Sequence, residues 1–307
     1  MHGLKGAPFA FIIGAALLLA VSNGDSWPQG ITSFPPPGNE GSGERELRAL
    51  ASAYPDRIAG VEQRDGDWAV EVDGQWFFWA HGRILAEAER ADWERYSRYR
   101  FYSYPLGELP PLPILDSETA ARLKKSLAES LQRPPMRSEA FLERLYDAGT
   151  RAATMRQITS VDFLGFPVQA HSRIAGPLEA AARELVSVSK TDPRVAAFLR
   201  SLWKIDGFNY RDVAGTLSRS YHSYGLAVDL IPRSYGGKSA YWRWAMESNK
   251  EWWAIPYNQR WMMPSAVVSA FERQGFVWGG KWLFFDMMHF EFRPESFVMA
   301  RAENGQR

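Results

Sequence analysis

A histidine and an aspartate, residue types that bind metal ions, lie seven positions apart in SYHSYGLAVD, residues 220–229. On an unbroken strand, side chains seven positions apart point to opposite faces, so His222 and Asp229 could not meet. Gly225 permits a bend that resets this alternation, after which Ala227 and Asp229 share a face. The small Ala227 leaves room beside whatever Asp229 binds. The stretch therefore predicts a loop and a following strand that present His222 and Asp229 to one compact ligand.

A second group of polar residues lies in FFDMMHFEF, residues 284–292. Strand alternation puts His289 and Glu291 on the same face. Asp286 can reach that face if it occupies the turn before the strand. The stretch predicts a histidine ligand, with a carboxylate on each side of it in the sequence.

Two imidazoles and one carboxylate, from His222, Asp229 and His289, are the donor set of a catalytic zinc site with an open fourth position. Asp286, three residues before a ligand, would then be the general base. Taken singly, each residue has an ordinary structural interpretation, such as a hydrogen-bonded histidine or a turn-forming aspartate. The combination is more specific, because the chain has 5 histidines and no cysteine, which leaves only nitrogen and oxygen ligands.

The overall charge of the chain argues against nucleic acid as a partner. There are 36 Lys and Arg against 35 Asp and Glu. Binding to a phosphate backbone depends on many unopposed basic residues, which this chain lacks. The absence of cysteine also excludes disulfides and a thiolate nucleophile.

The start of the chain is predicted to be a signal peptide. An apolar run from Pro8 to Val21 follows the basic Lys5 and is short for a membrane-spanning helix. Ala20 and Ser22 suit the positions around a cleavage site. An uncleaved membrane anchor is the alternative. We therefore expect export to the periplasm or cell wall, with no membrane association after cleavage.

Hydrophobic patterning predicts an α+β fold: a small antiparallel sheet, flanked by helices, carries the zinc site, and an extra N-terminal module contains a β-hairpin. The turn of that hairpin is expected at Asp73-Gly74, and a short helix at 44–53. The predicted domains are a signal peptide at 1–22, a proline-rich linker with a small N-terminal module at 23–115, a helical connector at 116–157 and a domain at 158–300 that carries the candidate zinc site.

The motif S-x-H-x-x-G-x-A-x-D at 220–229, followed by GFVWGGKWLFFDMMHFEFRPE at 275–295, resembles a family of zinc peptidases that cut bacterial cell-wall peptides. The family (VanY-like, peptidase family M15) includes D-alanyl-D-alanine carboxypeptidases and dipeptidases and the L-alanyl-D-glutamate endopeptidases of phage endolysins. The resemblance covers about 160–297 and does not extend to 23–115.

The resemblance implies one zinc ion per chain, bound by His222, Asp229 and His289, and a base at Asp286. Many members have Glu at the position of the base. The shorter Asp286, and the tryptophan-glycine-glycine stretch that begins at Trp278, favour the endopeptidase branch.

Relatives commonly use an arginine upstream of the first motif to hold the substrate carbonyl oxygen. Arg211 matches that position best, with Arg219 and Arg173 as weaker alternatives.

Several further residues are expected to support the metal ligands or contact substrate. Glu291 would orient a ligand imidazole through a hydrogen bond, or else be a solvent-facing strand residue. The other candidates are Ser220, Tyr224, Tyr235, Trp278 and Trp282. The alternative for the aromatic residues is core packing.

These features together predict an exported, monomeric zinc metallopeptidase (a carboxypeptidase or endopeptidase) whose substrates are peptidoglycan stem peptides. A non-catalytic, zinc-containing protein that binds wall peptides or acts as a scaffold is the alternative. A third hypothesis is an enzyme of the same fold that acts on other small peptides. The presence of Asp286 argues against a pure binding role, because a binder needs no base beside the metal.

Overall fold

The computed structural model describes residues 43–99, 101, 104–132, 134, 136–213, 216–303 and 305. The predicted signal peptide and most of the proline-rich linker lie outside these residues. Within the described part of the chain, none of the helices has the length and apolar character needed to cross a membrane.

The described residues form helices and small antiparallel sheets, which confirms the predicted α+β class. The helices are α1 (Glu44–Ala53), α2 (Ser117–Gln132), α3 (Ala140–Leu145), α4 (Arg151–Gln157), α5 (Ser172–Ser189), α6 (Pro193–Ser201), α7 (Trp242–Ser248), α8 (Ser265–Glu272) and α9 (Pro294–Glu303). The strands are β1 (Ile58–Arg64), β2 (Asp67–Val72), β3 (Gln75–Ala80), β4 (Arg83–Ala86), β5 (Ile158–Phe163), β6 (Phe166–His171), β7 (Leu202–Asp206), β8 (Ala227–Pro232), β9 (Phe276–Trp278) and β10 (His289–Phe292).

The N-terminal sheet is an antiparallel meander in the order β1-β2-β3-β4. The turn between β2 and β3 lies at Asp73-Gly74, as predicted, and both residues have positive φ (47° and 77°). Two positive φ values are typical of the two-residue hairpin turn that matches strand twist. Val70, Val72 and Phe77 on these strands are buried in the core.

The sheet that carries the candidate site has the order β7-β8-β10-β9. Strand β10 lies between β8 and β9, and both pairings are antiparallel. In this register Asp229 faces His289, and Ala227 faces Glu291. Asp229 and His289, one from each motif, therefore meet on neighbouring strands at the centre of the sheet.

The N-terminal sheet and the sheet that carries the candidate site share one continuous hydrophobic core. Phe77 on β3 packs edge-on against Phe141 on α3, with ring centroids 5.5 Å apart. Helix α1 packs against α9, and Arg173 on α5 forms an ion pair with Asp56. The N-terminal module thus packs against α3, α5 and α9.

The aromatic-rich segment AYWRWAMESNKEWW, residues 240–253, is α-helical only from Trp242 to Ser248, the bounds of α7. The Asn249 side chain accepts a hydrogen bond from the backbone of Glu251. Such local bonds stabilise a turn at the expense of further helix.

Candidate metal centre

His222 lies in a one-turn 3₁₀ helix, Tyr221–Tyr224, that precedes β8. Ser220 caps this turn, and its Oγ accepts a hydrogen bond from the His222 backbone at 3.3 Å. Gly225 ends the turn with φ 71°. The bend expected at Gly225 is therefore a capped helical turn. Ser220 stabilises this turn and is not one of the three candidate metal ligands.

Gly225 is also in close contact with a neighbouring hairpin. A Cβ atom at this position would lie 2.5 Å from Ile158 Cδ1 and 2.7 Å from the backbone nitrogen of His171. The Gly225 carbonyl accepts a hydrogen bond from that nitrogen at 2.8 Å. The absence of a side chain therefore lets the His222 turn dock onto the β5–β6 hairpin.

The three predicted ligands come together in the core. His289 Nδ1 lies 2.7 Å from Asp229 Oδ1, and His222 Nε2 lies 3.3 Å from both His289 Nδ1 and Asp229 Oδ1. One donor atom from each residue lies within 4.8 Å of the other two. His222, Asp229 and His289 are 1, 5 and 0% exposed. This group could hold a metal ion.

The outer nitrogen of each imidazole has its own hydrogen-bond acceptor. His222 Nδ1 lies 2.7 Å from the carbonyl oxygen of Gly207, and His289 Nε2 lies 3.1 Å from Glu291 Oε1. Each outer N–H can donate to its acceptor, so that His222 Nε2 and His289 Nδ1, the nitrogens that face Asp229, could offer their lone pairs to a metal ion. Outer hydrogen bonds of this kind fix the tautomer and orientation of metal-binding histidines.

The buried charges also fit a divalent cation. Burial and the nearby charge of Asp229 raise the pKa of Asp286 to about 8. Although burial lowers the pKa of His289, its hydrogen bonds and charge interactions with Asp229 and Glu291 raise it to about 10. The carboxyl groups of Asp229 and Glu291 thus favour a positive charge at His289, in a buried site where unbalanced charge is costly. Donor types, convergence and charge all fit a bound metal ion.

Asp286 lies in the turn before β10 and is 1% exposed. Its Oδ1 accepts a hydrogen bond from the Met288 backbone at 3.3 Å, and its own backbone nitrogen donates to Gly279 O at 3.1 Å. A Cβ atom on Gly279 would lie 2.6 Å from the Asp286 carbonyl oxygen. The absence of a side chain at Gly279 therefore lets the tryptophan-glycine-glycine stretch pack closely against the Asp286 backbone.

The two candidate tryptophans have different environments. Trp278 is 1% exposed, and its indole nitrogen donates to Met287 O at 3.0 Å. A Cβ atom on Gly280 would lie 2.3 Å from the Trp278 ring. Trp282 instead has its ring centroid 5.8 Å from that of His289. Trp278 packs in the core, whereas Trp282 lies beside a predicted ligand.

The two candidate tyrosines also differ. Tyr224 is buried, donates its hydroxyl to Glu139 and packs under the Arg219 guanidinium at 4.0 Å. Tyr235 is half-buried on the loop after β8, and its hydroxyl donates to Met288 Sδ at 2.6 Å. Burial and the charges of Asp286 and Asp229 raise the pKa of Tyr235, so its phenol is neutral near the site. Of the two, Tyr235 is thus the tyrosine that lies beside the β10 turn, in contact with the residue before His289.

The three candidate arginines occupy distinct positions. Arg211 is held beside the His222 turn, because its backbone nitrogen donates to Ser223 Oγ at 2.7 Å. Arg219 donates to the carbonyls of Ala148 and Ser223 and to Thr154 Oγ1. Arg173 binds Asp56 in the N-terminal module. The guanidinium groups of Arg219 and Arg173 therefore make contacts within the protein, and the backbone of Arg211 lies beside the turn that carries His222.

Sequence patterns do not reveal every residue that supports the site. The Gly207 carbonyl leaves no signal, because any residue supplies a carbonyl oxygen. Arg293 and Glu295 continue the two-residue spacing of His289 and Glu291, and that extended alternation could have identified them.

Comparison with known proteins agrees with the motifs. Residues 214–292 match a peptidase M15 family described as D-alanyl-D-alanine carboxypeptidase, and residues 46–101 match a domain of unknown function (DUF8518). No curated protein and no solved structure matches the chain. The first match contains both metal-binding motifs and confirms the resemblance to VanY-like M15 peptidases over 214–292. The match supports a peptidase of this typically metal-dependent family, with a buried His-Asp-His group that could bind the metal.

Proposed function

We propose that the protein is an exported zinc metallopeptidase that hydrolyses peptide bonds in peptidoglycan stem peptides, as a D-Ala-D-Ala carboxypeptidase or an L-Ala-D-Glu endopeptidase. The observation that carries this proposal is the buried convergence of His222, Asp229 and His289 next to Asp286, within a segment that matches this family.

His222 Nε2, Asp229 and His289 Nδ1 would hold the metal, with Gly207 O and Glu291 fixing the two rings. A bound zinc ion supplies a Lewis acid for the scissile carbonyl and lowers the pKa of water to about 7. Divalent metals other than zinc can bind nitrogen and oxygen donors, so the identity of the metal is part of the proposal.

Asp286 would act as the base. Its buried carboxyl has a pKa raised toward neutrality, which suits a group that accepts a proton from water and returns it to the departing amine. Arg211, beside the His222 turn, would bind the carbonyl oxygen and stabilise negative charge as it develops. Trp282 and Tyr235 would border the substrate.

Export would place the enzyme where peptidoglycan is found. The predicted signal peptide at 1–22 supports a periplasmic or wall-associated location. The near-neutral charge of the chain agrees with a peptide substrate better than with a polyanion.

Digestion of purified muropeptides, followed by mass spectrometry, tests the proposal. The wild type, a chelator-treated sample, Asp286→Ala and the control Asp92→Ala would be compared. Asp92 suits the control because its side chain is 61% exposed and lies in the N-terminal module. Loss of one alanine would indicate a carboxypeptidase, whereas separation of the stem from the sugar-linked alanine would indicate an endopeptidase.

We expect cleavage by the wild type and by Asp92→Ala, and none by the chelated sample or Asp286→Ala. Unchanged muropeptides from several wall types, with stoichiometric metal bound, would favour the non-catalytic binding alternative.

A further inference from the structure

We propose that the N-terminal module helps to position the metal ligands, through a buried relay of charged and phenolic groups that connects His289 with Tyr54. Arg293, Glu295 and Tyr54 are the positioning residues of this relay. The inference rests on the proposed function, because it takes the His-Asp-His group as the metal site.

The relay begins on β10 and follows every second residue. His289 Nε2 lies 3.1 Å from Glu291 Oε1, and Glu291 Oε2 lies 3.9 Å from Arg293 Nη1. Arg293 Nε donates to Glu295 Oε1 at 3.0 Å, and the Tyr54 hydroxyl donates to Glu295 Oε2 at 3.0 Å. Side chains two apart on a strand share a face, so His289 and Glu291 point the same way. Arg293 and Glu295, which follow β10, continue the contacts to Tyr54.

A second connection returns from Tyr54 to the other histidine. The Tyr54 hydroxyl lies 2.8 Å from the Tyr146 hydroxyl, and the Tyr146 carbonyl lies 2.9 Å from His171 Nε2. The backbone of His171 donates to Gly225 O, which ends the turn that carries His222. Tyr54 is therefore connected to both histidine ligands, along two separate routes.

Arg293 also contacts aromatic rings from both parts of the molecule. Its guanidinium lies 5.6 Å from the Tyr99 ring centroid and 5.2 Å from that of Tyr221. Tyr221 immediately precedes His222, while Tyr54 and Tyr99 belong to the segment that matches a domain of unknown function. The N-terminal module therefore supplies two of the groups around this arginine and its carboxylate partner.

Burial makes these contacts important for the orientation of His289. Glu291, Arg293, Glu295 and Tyr54 are 0 to 2% exposed. Two buried carboxylates and one guanidinium are stable only while each is paired or hydrogen-bonded, since water cannot compensate for a lost partner. Loss of the Tyr54 hydroxyl would remove one of the hydrogen bonds that the Glu295 carboxylate accepts, so that Glu295 would depend more on its bond from Arg293. The interaction of Arg293 with Glu291 would then become weaker.

The expected loss of zinc affinity can be estimated from residues that directly hydrogen-bond a metal-binding side chain. Removing a residue that orients a ligand typically costs about 10- to 100-fold in metal affinity. Tyr54 acts through several intervening groups, so we expect Tyr54→Phe to weaken zinc binding by about 3- to 10-fold, and Glu295→Gln to weaken it by about 10-fold.

The test measures metal binding by the full-length chain, without reference to peptide cleavage. Zinc dissociation constants would be obtained by competition with a chromophoric chelator. The visible spectrum of the cobalt(II)-loaded protein would report the ligand geometry. The variants are Tyr54→Phe, Glu295→Gln and the control Tyr96→Phe, whose hydroxyl interacts with Glu89 in the same module but lies outside the relay.

We expect weaker zinc binding and an altered cobalt spectrum for Tyr54→Phe and Glu295→Gln, and wild-type values for Tyr96→Phe. Thermal unfolding of the metal-free proteins would identify a general loss of stability. If Tyr54→Phe lowered the melting temperature but kept wild-type zinc affinity and spectrum, its role would be structural and the inference would be overturned.

The proposed enzymatic function can fail separately. A wild-type protein that binds zinc but cuts no muropeptide would contradict the peptidase while leaving the relay supported by the variants. A wild-type protein that binds no metal would overturn both.

Discussion

Asp229 and His289 lie directly opposite each other on β8 and β10, with Asp229 Oδ1 2.7 Å from His289 Nδ1. Two residues along in the same register, Ala227 faces Glu291, the carboxylate that contacts the far side of the His289 ring. The small side chain of Ala227 leaves space for that carboxylate. One pair of strands thus places two ligands and one supporting group, and only His222 must come from a separate turn.

Asp286→Asn is expected to lower kcat by about 10²- to 10⁴-fold, because an amide cannot accept the proton that a general base removes from water. Zinc content should stay at the wild-type value, since Asp286 is outside the ligand group. Initial rates of muropeptide cleavage and elemental analysis of the same samples would test this, with Asp92→Asn as the exposed control. Wild-type rates in Asp286→Asn would exclude the residue as the base.

Much of this site could be predicted because strand alternation and helix caps are local properties. The two-residue period correctly puts His289 and Glu291 on one face, and the bend at Gly225 explains how His222 reaches Asp229. The contributions of Gly207 and Tyr54 could not be predicted, because they come from distant parts of the chain and require only a carbonyl or a phenol.

In the fold as well, features set by neighbouring residues could be predicted, whereas features set by tertiary contacts could not. The hairpin at Asp73-Gly74 has a strong turn signal and forms where expected. Strands β1 and β7 are not predicted by the sequence pattern, since their exposed charged residues, such as Glu62 and Lys204, obscure the apolar alternation. Tyr224 and Trp278 are ambiguous from sequence alone, because the same aromatic residue can fill a core or border a groove.

Glu291→Gln is expected to weaken zinc binding by about 10- to 100-fold, because a neutral amide holds the His289 N–H less strongly than a carboxylate does. The substitution preserves side-chain size, so the fold should persist. Competition with a chromophoric chelator would measure the dissociation constant. The exposed Glu129→Gln, whose side chain is 62% exposed, is the matched control. Equal zinc affinity in both variants would show that Glu291 does not support the ligand.

Gly225→Ala is expected to destabilise the protein more than Gly237→Ala. The two glycines have nearly the same φ, 71° and 72°, so each substitution carries the same backbone strain of about 1–2 kcal/mol. At Gly237 no atom lies within 4 Å of the position that a Cβ would occupy, whereas at Gly225 the new methyl would meet Ile158 and His171. Overpacking adds about 1–3 kcal/mol to the cost at Gly225.

Denaturant unfolding of the two glycine variants would give this difference in the free energy of unfolding. Gly225→Ala should also weaken zinc binding, because the clash would move the turn that carries His222. Equal destabilisation by the two substitutions would argue against a tight contact between that turn and the β5–β6 hairpin.

Lys281→Met is expected to destabilise the protein by about 3 kcal/mol, the lower end of the cost of breaking a buried ion pair. The Lys281 ammonium is 2.7 Å from Glu272 and donates to the carbonyls of Pro105 and Gly107, and its side chain is 2% exposed. Methionine keeps the length of the side chain but removes all three interactions. Glu272 retains a hydrogen bond from Tyr104, which limits the loss of stability.

Denaturant unfolding would measure the change in the free energy of unfolding. The control is Lys238→Met, at an exposed site where we expect a change of less than about 0.5 kcal/mol. A similarly small change for Lys281→Met would mean that the segment around Pro105 is held by apolar packing and that the buried ion pair contributes little.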